Sequence, residues 1–328
     1  MSKPTVYVTR RIPDAGLKMV REACSVRVWE QTLPPPKEVI LEQVASCDGL
    51  LCLLGDEIDA QVMDAGELRV ISQFAVGVDN IDMAAATERG IPIGHTPGVL
   101  TDATADLAFT LLMAAARRVP EGVQKVKDGR WQTWEPLGLL GANVWGATLG
   151  IIGLGRIGTG VARRGRGFHM RVLYHDPRRK TELEEELGLK YVSLEELLEQ
   201  ADFVSVHTPL IAETRHLIGE AALRRMKPTA ILVNAARGEI VDTQALVRAL
   251  EEGWIARAAL DVTDPEPVQA NHPLVQMPSC IVVPHIGSAT ITARNRMAEM
   301  AAENLLAGLV GERLPHCANP GVYGSVGG

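Results

Sequence analysis

The residues most able to do chemistry begin at Gly153-Leu154-Gly155-Arg156-Ile157-Gly158, a G-x-G-x-x-G run. In such a run the first glycine permits a tight turn and the second lets the backbone approach a pyrophosphate. The third lets helix and strand pack closely, so that phosphate rests on the free N–H groups of a helix start. The spacing alone is weak: with 31 glycines in 328 residues it arises by chance about 0.3 times per chain. Its surroundings strengthen it. The apolar run Leu149–Ile152 precedes it, a helical pattern of Ile157, Val161 and Ala162 follows, and a second apolar run, Arg171-Val172-Leu173-Tyr174, ends in His175-Asp176. Asp176 falls about 20 residues past the turn, where an acid can take the ribose hydroxyls of a dinucleotide and repel a 2′-phosphate. Arg178, Arg179 and Lys180 follow at once. They are either a solvated basic helix start or partners for a 2′-phosphate, so NAD(H) is favoured and NADP(H) stays open.

Further along, the chain offers groups suited to hydride transfer onto a 2-oxo acid. That chemistry needs a cation for the carboxylate, a proton donor for the carbonyl and a group that tunes the donor. Arg237, in Asn234-Ala235-Ala236-Arg237-Gly238, follows an apolar run. Its planar fork can hold a carboxylate through two hydrogen bonds or simply pair with an acid. Asp261, in Leu260-Asp261-Val262, either accepts a bond from a nicotinamide carboxamide or caps the turn that follows it. Glu266, in Asp264-Pro265-Glu266-Pro267, sits between prolines that stiffen its loop. His285, in Pro284-His285-Ile286-Gly287-Ser288-Ala289-Thr290, brings an imidazole, the side chain that changes charge near neutral pH. Each has an ordinary structural explanation when taken alone. Together they fall at three successive strand ends, where ligands bind in open α/β sheets.

The elements that must position them alternate short β-branched runs with amphipathic stretches, the pattern of βαβ units and parallel sheets. In the first hundred residues strands are expected at Thr5–Thr9, Ser25–Trp29, Gly49–Leu53, Val70–Phe74 and Ile91–Ile93, with helices between them. A long helix is expected from Asp102 to Arg118, capped by Thr101 or Asp102. An irregular stretch from Lys127 to Ala147 carries Trp131, Trp134 and Trp145. It either docks on its own domain or is exchanged with a second copy at a dimer interface, since interfaces are enriched in Trp. A second series of six strands follows, at Thr148–Ile152, Arg171–Tyr174, Phe203–Val206, Ala230–Asn234, Ala258–Asp261 and Cys280–Val283. Ser193-Leu194-Glu195-Glu196 reads as a capping box, and a helical pattern runs from Thr290 to about Val310.

Composition narrows the partners. A formal charge of −7 gives no overall drive toward nucleic acid or an anionic membrane surface. The apolar stretch Leu107–Ala116 is flanked by charges and is too short to span a bilayer. The N-terminus does not read as a signal peptide. Five cysteines without a C-x-x-C make disulfides and a metal cluster poor expectations, and fit a reducing cytoplasm.

Four motifs in this order resemble those of the D-isomer-specific 2-hydroxyacid dehydrogenases over nearly the full length of the chain. They are Gly153 to Gly158, Asn234 to Gly238, Leu260-Asp261-Val262 through Glu266-Pro267, and Pro284-His285-Ile286-Gly287. Within that family, Gly49 to Asp56, Pro273-Leu274 and His285 to Thr290 look most like glyoxylate/hydroxypyruvate reductases.

The resemblance implies an NAD(P)H-dependent enzyme that reduces a small 2-oxo acid to the D-2-hydroxy acid. Arg237, Glu266 and His285 are its implied catalytic residues. His285 would give its proton to the emerging alkoxide, and Glu266 beside it would favour the imidazolium. Arg237 would hold the carboxylate and polarise the carbonyl. Substrate contacts are expected from Leu54, Gly55 and the Val76 and Gly77 amides, and cofactor contacts from Thr104, Gly153, Gly155, Arg156, Ile157, Gly158, Asp176 and Asp261. Asp106 stands where many relatives carry Glu. No metal is implied.

The expected fold is α/β, with two doubly wound parallel-sheet domains. A Rossmann cofactor domain, residues 101–290, is inserted into a flavodoxin-like substrate domain, residues 1–100 plus 291–328. The two crossings would form a hinge with the active site in the cleft. A homodimer is expected, and no C-terminal regulatory domain. Phosphohydroxypyruvate, pyruvate or a branched 2-oxo acid are alternative substrates. A dinucleotide-sensing interaction protein like the corepressors built on this fold is the alternative of another class.

Overall fold

The computed structural model describes residues 3–324. The chain divides into two units, Met1–Leu100 with Ala289–Gly328, and Thr101–Ser288. Each is a doubly wound α/β structure around one parallel sheet.

The first unit contains β1 (Thr5–Val8), β2 (Ser25–Val28), β3 (Gly49–Cys52), β4 (Val70–Gln73) and β5 (Ile93–Gly94). They pair in parallel in the order β2-β1-β3-β4-β5, the flavodoxin-like arrangement. A parallel sheet covered on both faces calls for continuous apolar runs. Gly49-Leu50-Leu51-Cys52 and Val70-Ile71-Ser72 meet that demand, and β3 and β4 are buried throughout. The fifth strand begins at Ile93 rather than Ile91, because Pro92 has no N–H to give a ladder.

The helix Ile291–Leu309 completes this unit, capped by the Thr290 hydroxyl accepting from the Ala293 N–H at 3.1 Å. It lies so close to the helix Asp14–Ala23 that a Cβ on Gly16 would fall 2.1 Å from the Ala298 carbonyl oxygen. Ser72 Oγ donates to the Ala301 carbonyl at 2.8 Å, tying the same helix to β4.

The second unit contains β6 (Thr148–Ile152), β7 (Arg171–His175), β8 (Lys190–Tyr191), β9 (Phe203–Val206), β10 (Ile231–Asn234), β11 (Arg257–Leu260) and β12 (Cys280–Val282). The order is β12-β11-β10-β9-β6-β7-β8, so the chain reverses direction across the sheet between β6 and β9. Seven strands stand where six were expected. The addition, β8, is a two-residue edge strand, too short to show a period in sequence. The helix Thr101–Ala116 includes Thr101 in its first turn, so Thr101 does not cap it. It packs on the helix Arg156–Gly167, where Gly160 leaves room for Ala105 and Arg164 grips Asp106 at 2.5 and 2.7 Å. Of the capping box, the hydroxyl half forms: Ser193 Oγ accepts from the Glu196 N–H at 3.1 Å, while the Glu196 carboxylate accepts from Lys190 and Gln200.

Arg118, with φ of 54°, ends the long helix, and a further helix, Val119–Lys127, follows that the sequence pattern did not reveal. The stretch beyond it does not bury its tryptophans. Trp131 and Trp134 are 65% and 80% exposed, while Trp145, 66% exposed, lies against the His169 ring of its own unit at 4.2 Å between ring centres. Among the described residues no helix is long and apolar enough to cross a membrane.

Candidate active site

The glycine run forms the turn at the end of β6, where the sheet reverses. Gly153 has φ of 92°, a value L-residues rarely adopt, and a Cβ there would strike the Thr208 nitrogen at 2.7 Å. Gly158 passes so near the strand that its Cβ would fall 2.2 Å from the Gly153 carbonyl oxygen. Above Gly155 there is open space, and no side chain caps the helix that begins at Arg156. These features fit a dinucleotide's pyrophosphate: exposed N–H groups at a helix start, with a glycine clearing the approach. Arg156 and Ile157 form the first helical residues beneath it. Asp176, just past β7, accepts from the Leu154 N–H at 2.9 Å and from the Arg178 N–H at 2.9 Å. Its carboxylate is therefore held beside the glycine turn from both oxygens.

Arg237, Glu266 and His285 are brought together by close backbone approach. Asn234, at the end of β10, shapes the arginine turn: its Nδ2 donates to the Arg237 carbonyl at 2.8 Å and its Oδ1 accepts from the Ala236 N–H at 3.0 Å. The next residue, Gly238, lies against the loop after β11, since a Cβ there would be 2.0 Å from the Thr263 carbonyl oxygen. That loop carries Glu266. The Glu266 Oε1 accepts from His285 Nδ1 at 2.6 Å, and its Oε2 faces the Thr263 N–H at 3.4 Å. A carboxylate at Nδ1 fixes the ring so that Nε2 is the atom presented outward. Burial pushes the Glu266 carboxyl up. The His285 hydrogen bond and charge, the Thr263 N–H and the Arg237 guanidinium outweigh it, and hold Glu266 below the ordinary glutamate range. Arg237 Nη1 also donates to the Ala236 carbonyl at 2.8 Å. Both Asp264-Pro265 and Glu266-Pro267 peptide bonds are cis.

Asp261 does not cap the turn that follows it. It is 2% exposed, and its two oxygens accept from the Ile286 N–H at 2.6 Å and the Gly287 N–H at 2.8 Å. It fastens the loop bearing His285, a role that a cap on its own turn would not serve. Gly287 sits over Thr104 as well, where an added Cβ would lie 3.2 Å from the Thr104 Cγ2, so Thr104 and Asp261 share one floor.

In the first unit, Leu54, Gly55, Val76 and Gly77 occupy two loops at the carboxyl ends of β3 and β4. Among the described residues no acceptor meets the Val76 or Gly77 N–H, as an anion cradle requires. Two residues that the sequence did not single out hold these loops. Asn80 donates through Nδ2 to the Leu53 and Asp56 carbonyls at 3.1 and 2.7 Å and accepts from Gln73 Nε2 at 2.7 Å. Gln73 was the available signal, a fully buried amide closing an otherwise apolar strand.

Comparison with known proteins agrees with this geometry. Residues 109–287 match the family described as D-isomer specific 2-hydroxyacid dehydrogenase, NAD binding domain. A glyoxylate reductase of Korarchaeum cryptofilum is 54% identical over 319 residues, 97% of this chain and 96% of that one. The crystal structure of the TT0316 protein from Thermus thermophilus is 49% identical, with a TM-score of 0.91, covering 96% of this chain and 99% of the other. An NADPH-dependent glyoxylate/hydroxypyruvate reductase from Sinorhizobium meliloti, solved with NADP and malonate, is 31% identical, with a TM-score of 0.86, covering 96% and 97%. The chain belongs to the D-isomer-specific 2-hydroxyacid dehydrogenase family, whose nicotinamide-dinucleotide-binding domain it carries.

Proposed function

We propose that the protein reduces glyoxylate and hydroxypyruvate with NADH, the latter to the D-2-hydroxy acid. The observation that carries this reading is the Glu266–His285 pair at 2.6 Å, on a loop packed against the turn that bears Arg237. Names borne by the relatives direct the choice of acid.

Arg237 holds the substrate carboxylate and polarises the 2-oxo group, while the Val76 and Gly77 N–H groups give the carboxylate further donors. A bound nicotinamide supplies the hydride. His285, protonated, delivers its Nε2 proton to the oxygen of the former carbonyl, and Glu266 stabilises the imidazolium until that transfer. Gly153, Gly155, Arg156, Ile157 and Gly158 receive the pyrophosphate, Asp176 the ribose hydroxyls, and Thr104 and Asp261 the nicotinamide end. A carboxylate pinned by two backbone N–H groups disfavours a 2′-phosphate, which supports NADH over NADPH.

The test is a panel of initial rates with glyoxylate, hydroxypyruvate, pyruvate and phosphohydroxypyruvate, each with NADH and with NADPH. Greater kcat/KM for glyoxylate or hydroxypyruvate with NADH supports the reading. Higher kcat/KM for phosphohydroxypyruvate or pyruvate overturns the substrate assignment.

The exposed face from Val119 to Trp145 fits a second copy of the chain, giving a homodimer. Val123, Val126, Trp134, Leu137 and Leu140 present apolar side chains there, more than a monomer commonly leaves in contact with water. Trp134→Glu with Leu137→Glu should yield a monomer by light scattering; an unchanged mass removes this face from the assembly. The unpaired thiols of Cys24, Cys47, Cys52 and Cys280 suit a reducing compartment, and we place the protein in the cytoplasm.

A further inference from the structure

Beyond Asp176, the segment that follows β7 is closed on itself by a set of contacts that the reduction does not use. Tyr174 is fully buried at the end of β7. Its hydroxyl accepts from the Lys180 N–H at 2.7 Å and donates to Glu184 Oε1 at 2.7 Å. Glu184, on the short helix Thr181–Leu187, takes the Arg179 guanidinium in a fork, from Nε to Oε1 at 2.8 Å and from Nη2 to Oε2 at 2.8 Å. The same guanidinium lies 5.9 Å from the Tyr191 ring centre. Of the three cations that follow Asp176, Arg179 is thus turned back onto the helix, and the donor edge that would match an oxyanion is spent.

A 2′-phosphate would have to be met on this side of the ribose, since Asp176 stands at the hydroxyl position and the basic residues come directly after it. We propose that Glu184 is a specificity-determining residue that withholds Arg179 from a 2′-phosphate, so that discrimination between the two dinucleotides rests on Asp176 and on this lock together. The inference rests on the NADH reading above and deepens it. Arg179–Glu184 is a fork on a partly sheltered carboxylate, anchored by a buried phenol, and is therefore better ordered than a lone surface pair. Arg179 and Tyr174 hold the Glu184 carboxyl down to about 2, so it stays ionised throughout the neutral range. Glu184 touches neither the dinucleotide nor the substrate in this scheme; it acts through Arg179.

Binding separates the alternatives without turnover. The probes are adenosine 2′,5′-bisphosphate against adenosine 5′-monophosphate, and NADPH against NADH, each titrated calorimetrically into the full chain. Glu184→Gln keeps an acceptor for Tyr174 and weakens the fork; Glu184→Ala removes both. The proposal expects affinity for the 2′-phosphorylated probes to rise on the order of tenfold, the worth of one added charge-assisted hydrogen bond, with NADH unchanged within about twofold. It expects Arg179→Ala alone to leave NADPH binding as it was, and Arg179→Ala added to Glu184→Gln to cancel the rise.

If Glu184→Gln and Glu184→Ala both leave the 2′-phosphorylated probes unimproved while the unaltered protein prefers NADH, the lock is overturned and the NADH reading stands. A rise that survives Arg179→Ala is simple removal of negative charge and also overturns it. An unaltered protein that binds NADPH more tightly than NADH overturns the NADH reading itself, and the proposal with it.

Discussion

Asp56 in the first unit and Asp261 in the second are both 2% exposed, and both close a loop at the carboxyl ends of parallel strands. Their use differs. Asp261 spends both oxygens on consecutive N–H groups of the loop that carries His285, so a carboxylate positions a side chain. Asp56 uses one oxygen for Thr9 Oγ1 at 2.5 Å and the Leu53 N–H at 2.7 Å, and the other, Oδ1, is buried without a partner among the described residues. Asn80 holds the Leu53 and Asp56 carbonyls of the same loop, and Gln73 Nε2 donates to the Gly77 carbonyl of the next at 3.4 Å. The second unit spends backbone donors on a buried carboxylate to fix the His285 loop, and in the first the Val76 and Gly77 N–H groups meet no acceptor among the described residues. Under the function proposed above, chemistry falls to the second unit and anion capture to the first.

The strongest way to break this contrast is at the aimed group. His285→Gln should lower kcat by about 10²–10⁴-fold in either direction, with NADH affinity little changed, because it removes the proton donor and leaves the dinucleotide contacts. Unchanged kcat under saturating substrate takes His285 out of the reaction. Asp261→Asn keeps one acceptor and turns an NH₂ toward the other backbone N–H, so the loop shifts. A misplacement of this kind costs about 10–100-fold in kcat. A fall in NADH affinity with kcat intact would show that Asp261 serves the nicotinamide and does not aim His285. Asn80→Ala attacks the other unit. It frees the Leu53 and Asp56 carbonyls and should raise KM for the 2-oxo acid about tenfold, more than it lowers kcat, at a cost of about 1–3 kcal/mol in folding stability. A kcat loss with KM unchanged would mean that this loop does not bind the carboxylate.

Which parts were legible follows from the same physics. The strands of both sheets were readable because a parallel sheet buried on two faces forces apolar runs, as in Leu149–Ile152 and Ile231–Val233. Lys190–Tyr191 was not, since two residues at an edge carry no periodicity. The three glycines could be assigned in advance because backbone approach tolerates no Cβ at Gly153 or Gly158. Gly238 obeys the same rule against Thr263, yet it lies outside any strand–turn–helix pattern that would have flagged it. Asp261 was placed correctly at a strand end, but its partners lie 25 and 26 residues later, a pairing that only the fold creates. Asn80, Glu184 and Asn234 share that fate: each acts on backbone or on a neighbouring cation, and nothing in local spacing distinguishes such a side chain from a solvated one.

The smallest effect expected separates two carboxyls, Asp56 and Glu266, by sign. Burial raises the Asp56 carboxyl from 3.8, with the Thr9 and Leu53 hydrogen bonds and Arg10 pulling against it. A folded-state value above the unfolded one means the folded protein holds this proton longer. The associated stability is complete below the ordinary aspartate range and is lost as pH rises through the raised value. Glu266 is lowered from 4.5, so its contribution is present above the ordinary glutamate range and is lost as pH falls through the depressed value. Asp56→Asn cannot ionise, and places an amide nitrogen at the position where Oδ1 has no partner among the described residues. Its urea midpoint should gain on the unaltered protein as pH rises from about 4 toward neutrality, whereas Glu266→Gln should lose ground as pH rises toward 4.5 and hold level above it. Parallel curves for Asp56→Asn and the unaltered protein would mean that Asp56 folds as a well-solvated carboxylate, without the burial that raises it.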